Sequence, residues 1–319
     1  DNFTLPYWTL PDLSLTIRGI EGPNGELPVL QGTTGHYLTI EHEYLNLFNP
    51  VTLNIENLNI TGFYGSNPAI TVVYIYLFVN NTIFSDNYGA ISYTQDYATA
   101  TLTVTNSQFL SNYYGDGGGA MYIVGSSLAS TVSISDSYFY DNGAQNDPAY
   151  GGAIRIISSL DNLSINGCSF IDNGSVDSAY DGAGHGGAMY IKAYMTSILI
   201  DDCTFSGNGY ATGGALYLTD LIIAPVITNS YFFNNTATYN GGAVEVNAGS
   251  NTVTISHTIF SGNTAVREGG AMHAWNTADA GTQLSLTNVT FEENVAGTGR
   301  QSGGGGAIHI PSGQSISIH

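Results

Sequence analysis

The chain has 319 residues, of which only 9% are charged, and 25 acidic against five basic side chains give a formal net charge of −20. So acidic a surface excludes nucleic acid and anionic membranes as partners, while it permits divalent cations and keeps an apolar-cored array soluble. Helix formers are scarce, and the Thr, Ser, Val, Ile, Tyr, Asn and Gly that dominate favour strands and tight turns.

The sequence starts at Asp1 without a Met or signal peptide, as expected of a processed or partial chain. No stretch reaches the roughly 18 apolar residues of a membrane span, so no membrane insertion by this segment is expected. Residues 1–79 read as degenerate opening coils, with an early strand and turn at 13–19 and a worn coil at 54–63.

From residue 80 a repeat takes over. A Phe is followed three residues later by Asn at Phe84/Asn87, Phe109/Asn112, Phe139/Asn142, Phe170/Asn173, Phe205/Asn208, Phe232/Asn235, Phe260/Asn263 and Phe291/Asn294. Each Phe is followed by Gly-Gly-Ala and an apolar residue, at 118–121, 151–154, 186–189, 213–216, 241–244, 269–272 and 305–308, with a degenerate first copy at 88–91. The period drifts from 25 to 36 residues, which places variable loops between fixed strands. Strict alternation precedes each Phe, as in Leu102/Val104 and Val253/Ile255, and follows each Gly-Gly-Ala, as in Met121/Ile123. Period two means strand, and no such strand can bury its apolar face alone. The expected fold is therefore all-β. It is a right-handed parallel β-helix, or β-solenoid, of roughly ten coils of about 30 residues with three short strands each, spanning about 50 Å. Residues 1–319 read as one such array. The last coil, at 315–319, stops before its Phe, so the chain is expected to continue.

In this arrangement Phe stacks on Phe inside the tube, and Gly-Gly lets backbones turn and approach. The residue three before each Phe (Asn81, Asn106, Asp136, Gly167, Asp202, Asn229, His257 or Asn288) is placed at a bend where stacked amides bond the next coil. The Asn of Phe-x-x-Asn is expected to form a second ladder of this kind.

The paired Gly-Gly-Ala-Ile and Phe-x-x-Asn motifs resemble the repeats of the polymorphic outer-membrane protein family over about residues 80–310. The resemblance implies a β-helical passenger displayed on a cell surface, usually adhesive. The chain departs from that family in lacking a C-terminal membrane barrel, and similar repeats occur in other large secreted proteins. Residues 1–79 resemble the first coils of a pectate-lyase-like solenoid.

Several residues carry candidate chemistry. Gly184-His185-Gly186 resembles a polygalacturonase motif, but Asp201-Asp202 follows it and Gly186 belongs to the structural repeat. Glycoside hydrolysis needs two carboxylates converging in a cleft, and Asp172, Asp177, Asp181, Asp201 and Asp202 are the available acids. The slot after Gly-Gly-Ala and its apolar residue should point outward. It holds Ser92, Tyr122, Arg155, Tyr190, Tyr217, Glu245, His273 and His309. Tyr190 and Tyr217 offer a platform for sugar rings. Glu245, His273 and His309 carry donors suited to Zn²⁺ or Ni²⁺, against the plainer reading of an exposed ladder without ligand. Cys168 and Cys203 share one inward slot on adjacent coils, which leaves a disulfide and buried free thiols both open. Of seven Asn-x-Ser/Thr sequons, Asn2, Asn59, Asn80, Asn162 and Asn234 are the better glycosylation candidates, since Asn173 and Asn288 fall on ladder positions. No cofactor is expected beyond Ca²⁺ in the Asp-rich turns at 136–147 and 172–181.

The function expected is that of a non-catalytic extracellular or cell-surface solenoid, adhesive or structural. Its expected partners are further copies stacked end to end into a fibre, or host and cell-surface glycans and proteins. The alternative is a carbohydrate-active or carbohydrate-binding β-helix.

Overall fold

The computed structural model describes residues 3–4, 14–35, 37–41, 51–95, 100–115, 117–125, 130–144, 149–174, 184–192, 194–219, 224–247, 252–275, 283–297, 304–310 and 315–319. Every described strand pairing is parallel, and the strands sort into two sheets of 11 and one of 10, with short extra ladders of two and three strands. Each coil contributes one strand to each long sheet in turn. One coil, for example, supplies Met121–Gly125 to the first sheet, Thr131–Ser135 to the second and Tyr138–Tyr140 to the third. This is the parallel β-helix that the alternation implies, and no described helix is long and apolar enough to cross a membrane.

Alternation fixes which side chains enter the tube. In the second sheet Leu53, Leu77, Leu102, Val132 and Leu163 follow one another in register, all buried. In the third sheet Phe84, Phe109, Phe139, Phe170, Phe205, Phe232, Phe260 and Phe291 form one column. Their ring centroids are 4.5 Å apart at the closest pair and 5.1 Å at the widest, with interplanar angles of 10° or less. The spacing is that of neighbouring strands, so the sheet itself brings the rings into face-to-face contact.

Three left-handed corners close each coil. One lies three residues before Phe, as at Asn81, Asn106, Asp136, Gly167, Asp202, Asn229, His257 and Asn288. A second lies two residues after Phe, at Asp86, Ser111, Asp141, Asp172, Gly207, Asn234, Gly262 and Glu293. The third is the first Gly of Gly-Gly, as at Gly151 (φ 62°) and Gly213 (φ 61°). Asn, Asp and Gly tolerate this region best, which explains their enrichment. The second Gly is needed for space instead. A Cβ on Gly214 would lie 2.1 Å from the Gly242 carbonyl oxygen.

From Asn87 to Asn263 the Asn after each Phe is buried, and Asn294 at the end of the row is partly buried. The Asn142 side-chain NH₂ donates to Asn173 Oδ1 at 3.0 Å and to the Phe109 carbonyl at 2.9 Å, and its Oδ1 accepts from the backbone and side-chain nitrogens of Asn112 at 3.1 and 3.0 Å. The same pattern links Asn87, Asn112, Asn142, Asn173, Asn208, Asn235, Asn263 and Asn294. The corner before Phe differs from expectation. Its side chains are outside and exposed, and the in-column amide bond there is Asn81 to Asn57, while Asn106 turns to Asn80 and Asn229 to Asp201. Gly167 and His257 interrupt any amide row at that corner.

Candidate functional site

The slot after Gly-Gly-Ala is one continuous row. Ser92, Tyr122, Arg155, Tyr190, Tyr217, Glu245, His273 and His309 are successive partners in the first sheet. The row was expected to be exposed, and it is not. Tyr190, Glu245 and His273 are buried. A second row lies just before Gly-Gly and folds over the first, with Tyr150, His185, Thr212, Asn240 and Glu268 on successive coils. Tyr150 stacks on His185 at 5.4 Å, and His185 lies against Tyr217 at 4.5 Å. The Arg155 guanidinium sits over the Tyr150 ring at 4.8 Å and the Tyr122 ring at 5.2 Å. Tyr190 and Tyr217 do stack, at 5.5 Å, but Tyr190 is covered and offers no open sugar platform.

His185, the centre of the polygalacturonase-like motif, is thus an aromatic wedge. Burial pushes its pKa down to about 4. Asp201 ends the second-sheet strand Met195–Asp201, and its carboxylate accepts from Asn166 and Asn229. Asp202 and Asp172 are left-handed corners, and Asp177 and Asp181 lie outside the described residues. So do parts of both Asp-rich turns proposed for Ca²⁺.

At the C-terminal end of the row the two columns meet in a cluster of acids and imidazoles. Both Glu245 oxygens lie 2.8 Å from His273 Nδ1. Burial raises the pKa of Glu245, and His273 opposes that. On the other side of the ring, His273 Nε2 lies 3.4 Å from Glu268 Oε2, and His309 Nδ1 lies 3.1 Å from the same oxygen. The two imidazoles stack at 5.1 Å. One donor atom each from Glu268, His273 and His309 lie within 4.8 Å of one another. The expected trio Glu245, His273 and His309 is therefore corrected. Glu245 stands behind His273, on the nitrogen facing away from the cluster, and Glu268 takes its place. Sequence parity could not find Glu268, because its row is chemically mixed.

Cys168 and Cys203 are free, buried thiols, so the disulfide alternative is not realised. They fill the slot that holds Ser107, Ser137, Ser230 and Thr258 in other coils. Like those hydroxyls, each S–H points at the carbonyl two residues back, Asn166 at 3.3 Å and Asp201 at 3.1 Å. The neighbouring Cys168 thiol, with burial second, holds Cys203 far above its ordinary pKa, which makes it inert. Among the sequons, Asn80 and Asn234 are exposed, Asn59 and Asn162 are half-buried, and Asn2 lies outside the described residues. Asn173 is buried, whereas Asn288 sits at an exposed corner rather than on an inward ladder.

Residues 129–296, just over half of the chain, match the right handed beta helix region family. The chain belongs to this right-handed β-helix family. Within the β-helix, residues 288–311 also match the Chlamydia polymorphic membrane protein repeat. No curated protein matches the chain. Two solved structures are similar to it, both catalytic domains of a GH87 alpha-1,3-glucanase in complex with tetrasaccharides. The first is 13% identical with a TM-score of 0.38, covering 98% of this β-helix and 64% of that chain. The second is 12% identical with a TM-score of 0.35, covering 94% and 64%. This β-helix thus spans less than two thirds of either.

Proposed function

We propose that this β-helix is a non-catalytic, surface-displayed adhesive solenoid that holds glycans on the outer face of its third sheet. The observation that carries this reading is a pair of exposed, pre-stacked aromatic clusters on that face. Tyr138 and Tyr140 stack at 6.2 Å, and Tyr231 and Phe233 at 5.8 Å. Tyr138, Tyr140 and Tyr231 are 37%, 40% and 41% exposed, and it is their grouping on one face, rather than exposure of single rings, that marks a binding surface. The register from Tyr138 through Ser169 and Thr204 to Tyr231 sets the clusters three coils apart, about 14 Å along the axis. Flat rings with polar edges suit sugar faces, and Ser169, Thr204 and Ser206 between them supply hydroxyls. The polymorphic membrane protein repeat supports display at an outer membrane or cell surface.

The test is binding of the purified chain to cell-surface glycans, with Y138A/Y140A and Y231A combined. Binding should fall about tenfold or more, since each ring contact is worth about 0.5–1.5 kcal/mol, while the β-sheet circular dichroism stays unchanged. Equal binding by the triple variant would remove the glycan face. Release of reducing ends from polysaccharide would overturn the non-catalytic reading. A narrower form has copies stacking end to end into a fibre, supported by the near-identical ladders that each coil offers its neighbour. It requires filaments in electron micrographs of the native material, and dispersed monomers would dismiss it.

A further inference from the structure

We infer that Glu268, His273 and His309 form a divalent metal site of the Zn²⁺ class that clamps one coil of the solenoid to the next. Glu268 precedes Gly269, and His273 follows in the strand Met272–Ala274 of the same coil. His309 lies on the next coil, in the two-residue strand Ile308–His309, paired with His273. A metal here therefore ties together two consecutive turns of the tube.

Three observations point to a ligand rather than to a plain ion-pair cluster. First, His273 is 3% exposed, and its Nε2 has no hydrogen-bond partner among the described residues. His309 Nδ1 is likewise buried and without a hydrogen bond. Both nitrogens face Glu268 Oε2, at 3.4 and 3.1 Å, without the alignment of a hydrogen bond. Nitrogens that crowd one oxygen without bonding it are what ligands do around a shared cation. Metal–donor bonds of about 2.0–2.1 Å in a tetrahedron separate neighbouring donors by roughly 3.3 Å, close to the two nitrogen–oxygen gaps, while the two nitrogens lie within 4.8 Å of each other and have to draw in around the ion.

Second, the far side of His273 is prepared. Glu245, buried at 2% exposure, sets both carboxyl oxygens 2.8 Å from Nδ1, so an ionised Glu245 holds the proton on Nδ1. That bond fixes the tautomer that leaves Nε2 with a lone pair toward the cluster. A carboxylate behind a ligating imidazole is the usual outer shell of a histidine–metal bond. Glu245 is thus a positioning residue rather than a ligand.

Third, room is made for His309. The residue that follows Glu268 in its row is Gly304, whose carbonyl accepts from Gly269 N. A Cβ on Gly304 would lie 2.6 Å from His309 Cδ2, so only glycine lets this ring lean toward Glu268. Two imidazoles and one carboxylate favour Zn²⁺, Ni²⁺ or Co²⁺ over the all-oxygen shells that Ca²⁺ and Mg²⁺ take. Three protein ligands leave a further position for water or for a donor of a bound partner.

The experiment titrates the intact, metal-stripped chain with Zn²⁺ against a chromogenic chelator, alongside E268Q, H309Q and E245Q. His273 is left alone because its burial makes loss of fold a competing outcome. Glu268 and His309 are partly exposed, and circular dichroism verifies that their variants fold. Wild type should take up one Zn²⁺ per chain. E268Q and H309Q should each lose that stoichiometric uptake, and E245Q should weaken it about 10–100-fold. Zn²⁺ should also slow amide exchange at 308–310 and 272–274 in wild type and not in H309Q. No uptake by folded wild type overturns the site, and so does uptake unchanged in both E268Q and H309Q. Displacement of Zn²⁺ by equimolar Ca²⁺ overturns the metal class.

Discussion

The buried Asn side chains of the ladder from Asn112 to Asn263 each make four hydrogen bonds at once, and that sets how much a single substitution costs. Asn173 donates to Asn208 Oδ1 and the Phe139 carbonyl, and accepts from the backbone and side chain of Asn142. Asn173→Ala orphans several buried groups at about 1–3 kcal/mol each. The variant should therefore lose at least about 3 kcal/mol in urea unfolding, and a loss below 1 kcal/mol would show that the ladder is decorative. His185 gives a residue-scale pH effect. Its pKa falls from 6.5 to about 4 on folding because the ring is buried among Tyr150, Tyr190 and Tyr217. Between pH 6.5 and 4 the unfolded chain takes the proton first, so stability drops across that window and levels off below it. The full shift is worth at most about 3 kcal/mol. Urea midpoints of wild type and H185Q, compared at pH 7 and pH 4.5, should show wild type losing more; parallel losses would contradict the assignment. Phe-x-x-Asn was legible because every coil must fill those two positions alike. Glu268 was not, since Tyr150, His185, Thr212, Asn240 and Gly304 occupy its row and share no chemistry.

At the scale of elements, strands and corners were written in alternation and in Asn, Asp and Gly. The corner two residues after Phe went unread because Asp, Ser, Gly, Asn and Glu all occupy it, and their common trait is conformational. The outward slot was placed in the correct row of the first sheet but with the wrong exposure. Parity along one strand says which way a side chain points, not what the neighbouring row lays over it. Gly-Gly has the opposite character, since its cause is entirely steric. Gly214→Ala would drive a methyl group to 2.1 Å from the Gly242 carbonyl and 2.7 Å from that of Thr236. Backbone cannot give way there without shifting two coils, so the thermal midpoint should fall by several degrees, on the order of 2–4 °C per kcal/mol at this chain size. An unchanged midpoint would mean that the coils can slide apart freely.

Across the whole molecule, three parallel sheets and one aromatic column share an axis, and each coil is stabilised mainly by its two neighbours. The repeats declare this architecture because stacking demands the same residue at the same place in turn after turn. Function is less legible for the same reason: the informative residues are those that break the pattern, and a single chain marks them only by irregularity. The Asn ladder also has a direction. Seven side-chain NH₂ groups, from Asn87 to Asn263, each point toward the amide oxygen of the following coil, so these amides and that of Asn294 form one head-to-tail row. The electropositive pole of that row falls at Asn294, immediately after the carboxylates Glu292 and Glu293. A side-chain row thus gives the tube an electrical polarity akin to that of a helix backbone, and negative charge gathers at the pole that attracts it.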